Sequence, residues 1–329
     1  VLGAMAGQFA AFITIVYNLT GLSGFLMACV LSIPFAILFG WLTGILFNKA
    51  KGKEMITGLI LGFFANGVYQ LICLILIGWI IPISNKALLL PSGVGFVNTL
   101  DLKIWQYAID KFYVFRAKGI DIPVLKYLNN INFPVGTLVI VALLCTAVVL
   151  LFKTKLGQDF RAVGQNRHTA EVAGIKVDRV RIIAVIFSTV LAAWGQLIFL
   201  QNIGNVQVYG SHVQVGTFAV AALLIGGATV SRATIGQALL GTVLFHALFI
   251  VSPLAGKNIM GSAQVGEYFR VFVAYGVIGI ALALHAWQRQ AKKEEEHSFQ
   301  STVRLRRGER RFPPLRNCIF CQIPAAAGL

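Results

Sequence analysis

The sequence has few charged residues and very few acidic ones. Only 12% of its 329 residues are charged, and 12 acidic residues stand against 28 basic ones, a formal net charge of +16. Soluble domains carry about twice that share of charge, so an ordinary soluble enzyme is excluded. No charged residue precedes Lys49, and Glu54 is the only carboxylate before Asp101. We therefore attribute the positive charge to membrane topology and contact with lipid headgroups, and we expect no nucleic-acid partner.

Motifs of catalysis are also missing. The sequence contains no GxxxxGK[ST] phosphate loop, no HExxH helix and no GxSxG nucleophile elbow. His212 and His246 have no acidic neighbour in sequence. We expect no catalytic residue, no metal site and no cofactor in this chain. A membrane-embedded enzyme stays open as an alternative, although it would need a catalytic pair.

Long apolar runs dominate what is present, with 57% hydrophobic residues and a mean hydropathy of +0.78. A helix needs about 20 apolar residues to cross the hydrocarbon core. The stretches that meet or approach this length are 1–19, 22–48, 55–83, 133–152, 182–203, 213–229, 234–252 and 268–287. They predict an all-α polytopic transmembrane bundle of about eight spans or half-spans over residues 1–287. The runs 213–229 and 234–252 form either a tight hairpin or two half-helices, and the start inside an apolar run predicts a missing N-terminus.

The connectors predict the orientation of the bundle. Lys49, Lys51 and Lys53 follow the second run, and the connector 153–181 holds seven Lys and Arg residues. By the positive-inside rule these face the cytoplasm, which leaves residues 84–132 as a long extracytoplasmic loop. Apolar positions at helical spacing between Leu100 and Phe115 predict an amphipathic surface helix in that loop.

The last 42 residues, 288–329, have a different character. They carry basic clusters, Pro313-Pro314 and one CxxC pair of Cys318 and Cys321. A single pair offers too few ligands for a zinc site. We expect a basic, disordered cytoplasmic tail, with attraction to anionic lipid as the alternative.

The polar residues inside the predicted spans are neutral. Asn66, Tyr69 and Gln70 share one helix face, and Gln196 lies in a later span. Ion-coupled carriers generally need ionisable groups within the membrane, so an ion-coupled secondary transporter is the less favoured alternative. We expect Asn66, Tyr69, Gln70 and Gln196 to line a path for a small polar solute. The other interpretation is that they form hydrogen bonds between helices.

The connector 153–181 carries the most local information. Asn166 is a suitable N-cap for a short helix over 167–173, and Gly174 is a suitable stop. A short helix at the cytoplasmic surface can pass the movement of a partner into the bundle. An ordinary basic loop is the alternative interpretation.

Two ordered motifs give a resemblance to a known family. The first is Gly157…Arg161-Ala162-Val163-Gly164…Asn166…Ala170…Ala173-Gly174-Ile175, and the second is the run 219–228 followed by Gly236 and Gly241. Together they resemble the permease subunits of ATP-binding-cassette (ABC) importers of the ribose and branched-chain amino acid type. Leu-Ala-Ala-Trp-Gly-Gln at 191–196 and Ser231-Arg232-Ala233 depart from the family pattern, and members commonly begin with one more span.

The resemblance implies a type II-like importer permease of eight to ten spans in a bacterial inner membrane. It implies separate ATPase subunits that bind ATP and Mg²⁺, and a second permease copy or paralogue. It also implies an extracytoplasmic solute-binding protein, which would dock on the outer loops, including 84–132 and 253–267. The ATPase would grip a coupling segment over 161–175, with the family's residues at Arg161, Ala162, Gly164, Asn166, Ala173, Gly174 and Ile175. A neutral path fits a monosaccharide best, a nucleoside second, and a branched-chain amino acid less well.

Overall fold

The structure is a computed structural model that describes residues 1–50, 52–76, 88–91, 93–103, 105–110, 134–229 and 233–262, and part of 264–287. The helices are α1 Leu2–Val16, α2 Gly21–Lys49, α3 Glu54–Leu71, α4 Val135–Lys153, α5 Lys155–Gln165, α6 Arg167–Val172, α7 Val177–Ile203, α8 Ser211–Ile225 and α9 Ile235–Met260. A π-helical turn, Ile72–Leu76, continues α3, and two strands are β1 Thr99–Asp101 and β2 Asn205–Gln207. The predicted tail 288–329, residues 111–132 of the predicted loop and Ser231-Arg232 lie outside the described residues. The chain divides into two compact units, residues 1–220 and a unit that begins at Ala221.

The all-α polytopic class is confirmed. Among the described residues, five helical stretches are long and apolar enough to cross a membrane: Gly21–Lys49, Ile56–Ile75, Val135–Lys153, Val177–Ile203 and Ile235–Asn258. Helices α1 and α8 are apolar but shorter. The number of complete crossings stays a prediction.

Helix α7 is the centre of the first unit, and both α1 and α2 pack extensively against it. Glycines make the close approach possible. A methyl group at Gly3 would lie 2.6 Å from the Ala192 Cβ, and one at Gly40 would lie 2.7 Å from the Ile186 Cα. The Thr189 hydroxyl also donates to the Ala36 carbonyl of α2 at 2.9 Å. Small residues at a helix contact therefore hold α1, α2 and α7 as one packed group.

Strands β1 and β2 correct the prediction of an amphipathic helix over 100–115. They pair antiparallel, with Leu100 opposite Val206, and residues 105–109 form turns in which Tyr107 has φ +54°. Among the apolar residues that set the helical pattern and that the structure describes, Leu102 and Trp105 are fully buried in the protein's own core, and Ala108 and Ile109 are buried as well. The pattern was produced by burial inside the protein, and residues 111–115 lie outside the described part.

Helix α9 is longer than its predicted run of 234–252. It begins with a capping box between Thr234 and Gln237 and ends at Gly261, where φ is +73°. Pro253 lies inside the helix without ending it, as prolines do in membrane helices when neighbours satisfy the freed backbone group. The prediction of a loop over 253–267 is therefore wrong for 253–260.

Candidate solute path and coupling segment

The polar face of α3 meets the turn between β2 and α8. The Tyr69 hydroxyl donates to the Val208 carbonyl at 2.8 Å. The Gln70 side-chain amide donates to the Tyr209 carbonyl at 3.4 Å. We call residues 207–212 the outer turn, because they follow the end of α7 that is opposite to the basic connector 153–181, which the positive-inside rule predicts to be cytoplasmic. Two of the four predicted path residues thus bind its backbone.

His212 connects the outer turn to two further helices. Its Nδ1 lies 3.1 Å from the Gln8 Oε1, and its Nε2 lies 2.8 Å from the Asn66 Oδ1. The imidazole is fully buried, and its centroid is 4.4 Å from that of the Tyr69 ring. The predicted path residue Asn66 therefore reaches the outer turn through His212.

The hydrogen bonds of Gln8 fix the proton on His212. The Gln8 Nε2 donates to the carbonyls of Gln207 at 3.2 Å and Val208 at 3.0 Å, so its Oε1 must be the group that faces the imidazole. Nδ1 therefore carries a proton. In the neutral imidazole Nε2 is an acceptor, so the amide of Asn66 is assigned with its NH₂ group toward the ring, in place of the Oδ1 that lies at this position. The result is an uncharged chain of donors and acceptors from Gln8 to Asn66.

Gln196 reaches the start of α8. Its Nε2 donates to the Ser211 hydroxyl at 3.2 Å, while its fully buried Oε1 has no hydrogen-bond partner among the described residues. All four predicted path residues therefore gather around the outer turn. Tyr69 and Gln196 are buried and bonded within the protein, which also fits the interpretation as hydrogen bonds between helices, so path lining stays a prediction.

Sequence reasoning missed Gln8 and His212 as members of this cluster. Both lie on short apolar helices, and a histidine without an acidic neighbour in sequence gives no sign of its partners. The contact between His212 and Gln8 spans 204 positions. The signal available in the sequence was their position in apolar segments. An amide or imidazole buried there costs free energy unless it is hydrogen-bonded, so a polar partner was to be expected for each.

A second polar cluster anchors the loop that precedes α4. The Asp110 carboxylate accepts from the Thr137 backbone N–H at 2.9 Å and from its hydroxyl at 2.8 Å. The Gln201 side chain donates to the Thr137 hydroxyl at 2.9 Å and accepts from the Ile109 N–H at 3.2 Å. Asp110 therefore satisfies a free N–H in the first turn of α4. The loop is thereby attached to α4 and to the end of α7.

The coupling segment folds as its local sequence predicts. The Asn166 side chain accepts from the Thr169 N–H at 3.2 Å at the start of α6, and Gly174 follows the helix with φ +81°. The predicted short helix, its cap and its stop are confirmed. Most of the positions predicted to couple to an ATPase are on the surface: Arg161, Gly164, Asn166, Ala173 and Gly174 are exposed, while Ala162 and Ile175 are half-buried.

Glu54, the first residue of α3, faces two arginines. Its Oε1 lies 2.9 Å from the Arg181 Nη2 of α7 and 3.4 Å from the Arg167 Nη1 of α6. Hydrogen bonds from the N–H groups of Glu54 and Gly52, followed by the bond from Arg181, hold the pKa of Glu54 below its usual value. The carboxylate is therefore charged at neutral pH. Within the described ranges, no three His, Cys, Asp or Glu side chains converge as a metal site.

Comparison with known proteins gives consistent matches. Residues 3–282 match the family described as branched-chain amino acid transport system, permease component. A fructose import permease protein of Bifidobacterium longum is 29% identical over 213 residues, which are 64% of this chain and 54% of that protein. An autoinducer 2 import system permease protein of Klebsiella pneumoniae is 38% identical over 170 residues, 51% of this chain and 46% of that protein.

A more distant match covers more of the chain. A ribose import permease protein of Escherichia coli is 23% identical over 258 residues, 78% of this chain and 68% of that protein. The chain spans about half the length of the first two relatives. No solved structure matches the chain.

Proposed function

This chain belongs to the family of branched-chain amino acid transport system permease components, and from that premise we propose that it is the membrane-spanning subunit of an ATP-driven ABC importer in a bacterial inner membrane. It forms the path for a small polar solute. The observation that carries this proposal is the convergence of uncharged hydrogen-bonding side chains on the outer turn, where Val208, Ser211 and His212 are buried. The apolar helices around this turn support a route through the membrane.

The chemistry of the path favours a monosaccharide. Gln8, Asn66, Gln70 and Gln196 supply amide donors and acceptors of the kind that bind hydroxyl groups. A free amino acid would present a carboxylate and an ammonium group, and neither finds a charged partner among these side chains. The unbonded Oε1 of Gln196 offers an acceptor for a hydroxyl. The similarity to a fructose import permease and to a ribose import permease points the same way.

The energy for transport comes from separate ATPase subunits. The exposed coupling segment, with Gly164 and Gly174 at its surface, supplies the surface that they grip. A second permease copy or paralogue completes the path, and the binding protein docks on the outer loops. ATP binding and hydrolysis then shift the assembly between outward-facing and inward-facing states. In the inward-facing state, the outer turn closes the extracytoplasmic end of the path.

Reconstitution tests this function. The chain is placed in proteoliposomes with its ATPase and binding protein, and uptake of labelled fructose and ribose is measured with ATP, with a non-hydrolysable analogue, and with a proton or sodium gradient alone. We expect uptake only with ATP, and competition by sugars rather than by uridine or leucine. Uptake driven by an ion gradient without ATP would overturn the proposal in favour of a secondary transporter.

A further inference from the structure

Glu54 joins three parts of the cytoplasmic face. It is the only carboxylate in the first hundred residues, and it stands at the start of the helix that carries Asn66, Tyr69 and Gln70. Arg167, the first residue of α6, and Arg181 of α7 both point to the same Glu54 oxygen. One carboxylate therefore links α3 both to the coupling segment and to the central helix.

The two arginines are attached differently. Arg181 also donates to the Phe47 carbonyl at the end of α2, and its side chain is 19% exposed. It belongs to the packed group of α1, α2 and α7. Arg167 is 32% exposed and makes the longer contact with Glu54, 3.4 Å against 2.9 Å. Arg167 therefore connects Glu54 to the coupling segment, while Arg181 connects it to the packed helices.

Helix α3 is suited to pass such a movement along its length. It has few contacts with α1 and α2, in contrast to the packing of α7, and one of its faces is largely exposed within this chain, as at Phe63 and Phe64. Its polar contacts lie near its two ends. Twelve residues separate Glu54 from Asn66, about 18 Å along a helix, so a shift at one end reaches the other as rigid movement.

We propose that Glu54 is a positioning residue that links movement of the coupling segment to the outer turn. Through Arg167 it sets the placement of α3, and α3 in turn sets the contacts of Asn66, Tyr69 and Gln70 with the outer turn. This inference rests on the proposed function. Glu54 touches neither solute nor nucleotide in this role. Its loss should therefore uncouple hydrolysis from transport and leave the assembly in place.

The test compares uptake and ATP hydrolysis in the same proteoliposomes. For Glu54→Gln, which keeps the shape and removes the charge, we expect unchanged co-purification of the ATPase, unchanged hydrolysis, and about fivefold or greater loss of solute moved per ATP. Glu54→Asp should restore part of the loss. Arg167→Gln should give the same phenotype, and the double variant should be no worse than either single one.

The matched control is Asp159→Asn. It removes a carboxylate from the same basic connector, in α5 before the coupling segment, and Asp159 forms no ion pair with another described residue. We expect this variant to transport as well per ATP as the natural sequence. Equal loss in Asp159→Asn and Glu54→Gln would overturn the inference, because surface charge alone would then explain it.

Two other results would also overturn the inference. An unchanged ratio of solute to ATP in Glu54→Gln would show that the carboxylate passes on no movement. A parallel fall of hydrolysis and uptake would show that it only shapes the ATPase docking surface. If Glu54→Gln does not reach the membrane, Arg167→Gln carries the same comparison. Failure of the natural sequence to show ATP-driven uptake would instead reject the proposed function.

Discussion

The hydroxyl of Tyr69 donates a 2.8 Å hydrogen bond to the carbonyl of Val208, 139 residues further along the chain. Tyr69, the most deeply buried of the described residues of α3, thereby attaches the helix to the outer turn. The same carbonyl also accepts from Gln8, so removal of the tyrosine hydroxyl leaves it bonded. This arrangement separates the effect of Tyr69 on transport from a general effect on folding.

Tyr69→Phe tests the role of α3 in the path. We expect a loss of about 1 kcal/mol in the free energy of unfolding, as for one hydrogen bond, together with a changed KM for solute uptake. Tyr209→Phe is the matched control, because it removes a hydrogen bond of the same length, 2.8 Å, to the Phe96 carbonyl. Thermal unfolding and uptake are measured for both. Identical effects on KM would argue that Tyr69 has no special place in the path.

His212→Ala should be more damaging. It leaves the Oε1 of Gln8 and the side chain of Asn66 without their partner in a buried site, and each unsatisfied group costs about 1–3 kcal/mol. We expect a marked fall in thermal stability in detergent. His246→Ala is the comparison, since the His246 side chain is bonded to the Thr242 carbonyl of its own helix. A smaller loss for His212→Ala than for His246→Ala would contradict the network described here.

Asp110→Ala should weaken the attachment of the outer loop. It removes two hydrogen bonds to Thr137, one of which satisfies the start of α4, at a cost of about 1–3 kcal/mol. Protease sensitivity of the loop in intact vesicles reports the effect. Asp101→Asn, at an exposed pair with Lys103, should change little, as exposed ion pairs generally contribute little. Equal sensitivity in both variants would refute the anchoring role.

Gly164→Trp tests the coupling surface. No described atom outside its own helix backbone lies within 4 Å of a Cβ added at Gly164, and the residue is exposed, so the fold should accept the substitution. If the ATPase grips this segment, the bulky ring blocks it. We expect normal amounts of permease in the membrane with little co-purified ATPase, and Gly164→Ala should retain the complex. Intact assembly with tryptophan would remove Gly164 from the docking surface.

The lowered pKa of Glu54, caused first by hydrogen bonds from the N–H groups of Glu54 and Gly52 and then by Arg181, predicts a dependence on pH. Its folded-state pKa lies below the ordinary value of 4.5, so folding favours the charged form. The stability that this carboxylate contributes is fully present above 4.5 and is lost as pH falls through the lower folded value. The difference in thermal stability between the natural sequence and Glu54→Gln should therefore vanish in acid. A difference that grows in acid would have the wrong sign.

Local chemistry made the coupling segment predictable. The capping group of Asn166 acts three residues away and Gly174 acts on its own backbone, so both signals are complete within a few positions of sequence. The apolar runs likewise predicted the helices, because every backbone group in lipid must be bonded within its own helix. The runs predicted the ends of the helices less accurately. Helix α9, for example, continues past Pro253 to Met260.

The sequence alone therefore determined that this is a helical membrane protein, with a capped helix in its basic connector and neutral groups on its spans. Only the tertiary structure decided that Leu100 belongs to a strand, that His212 lies between Gln8 and Asn66, and that Glu54 meets Arg167 and Arg181. These contacts join residues about a hundred or more positions apart. Hydrogen bonds and ion pairs are selected by which groups folding buries together, and a single sequence carries no local record of that choice.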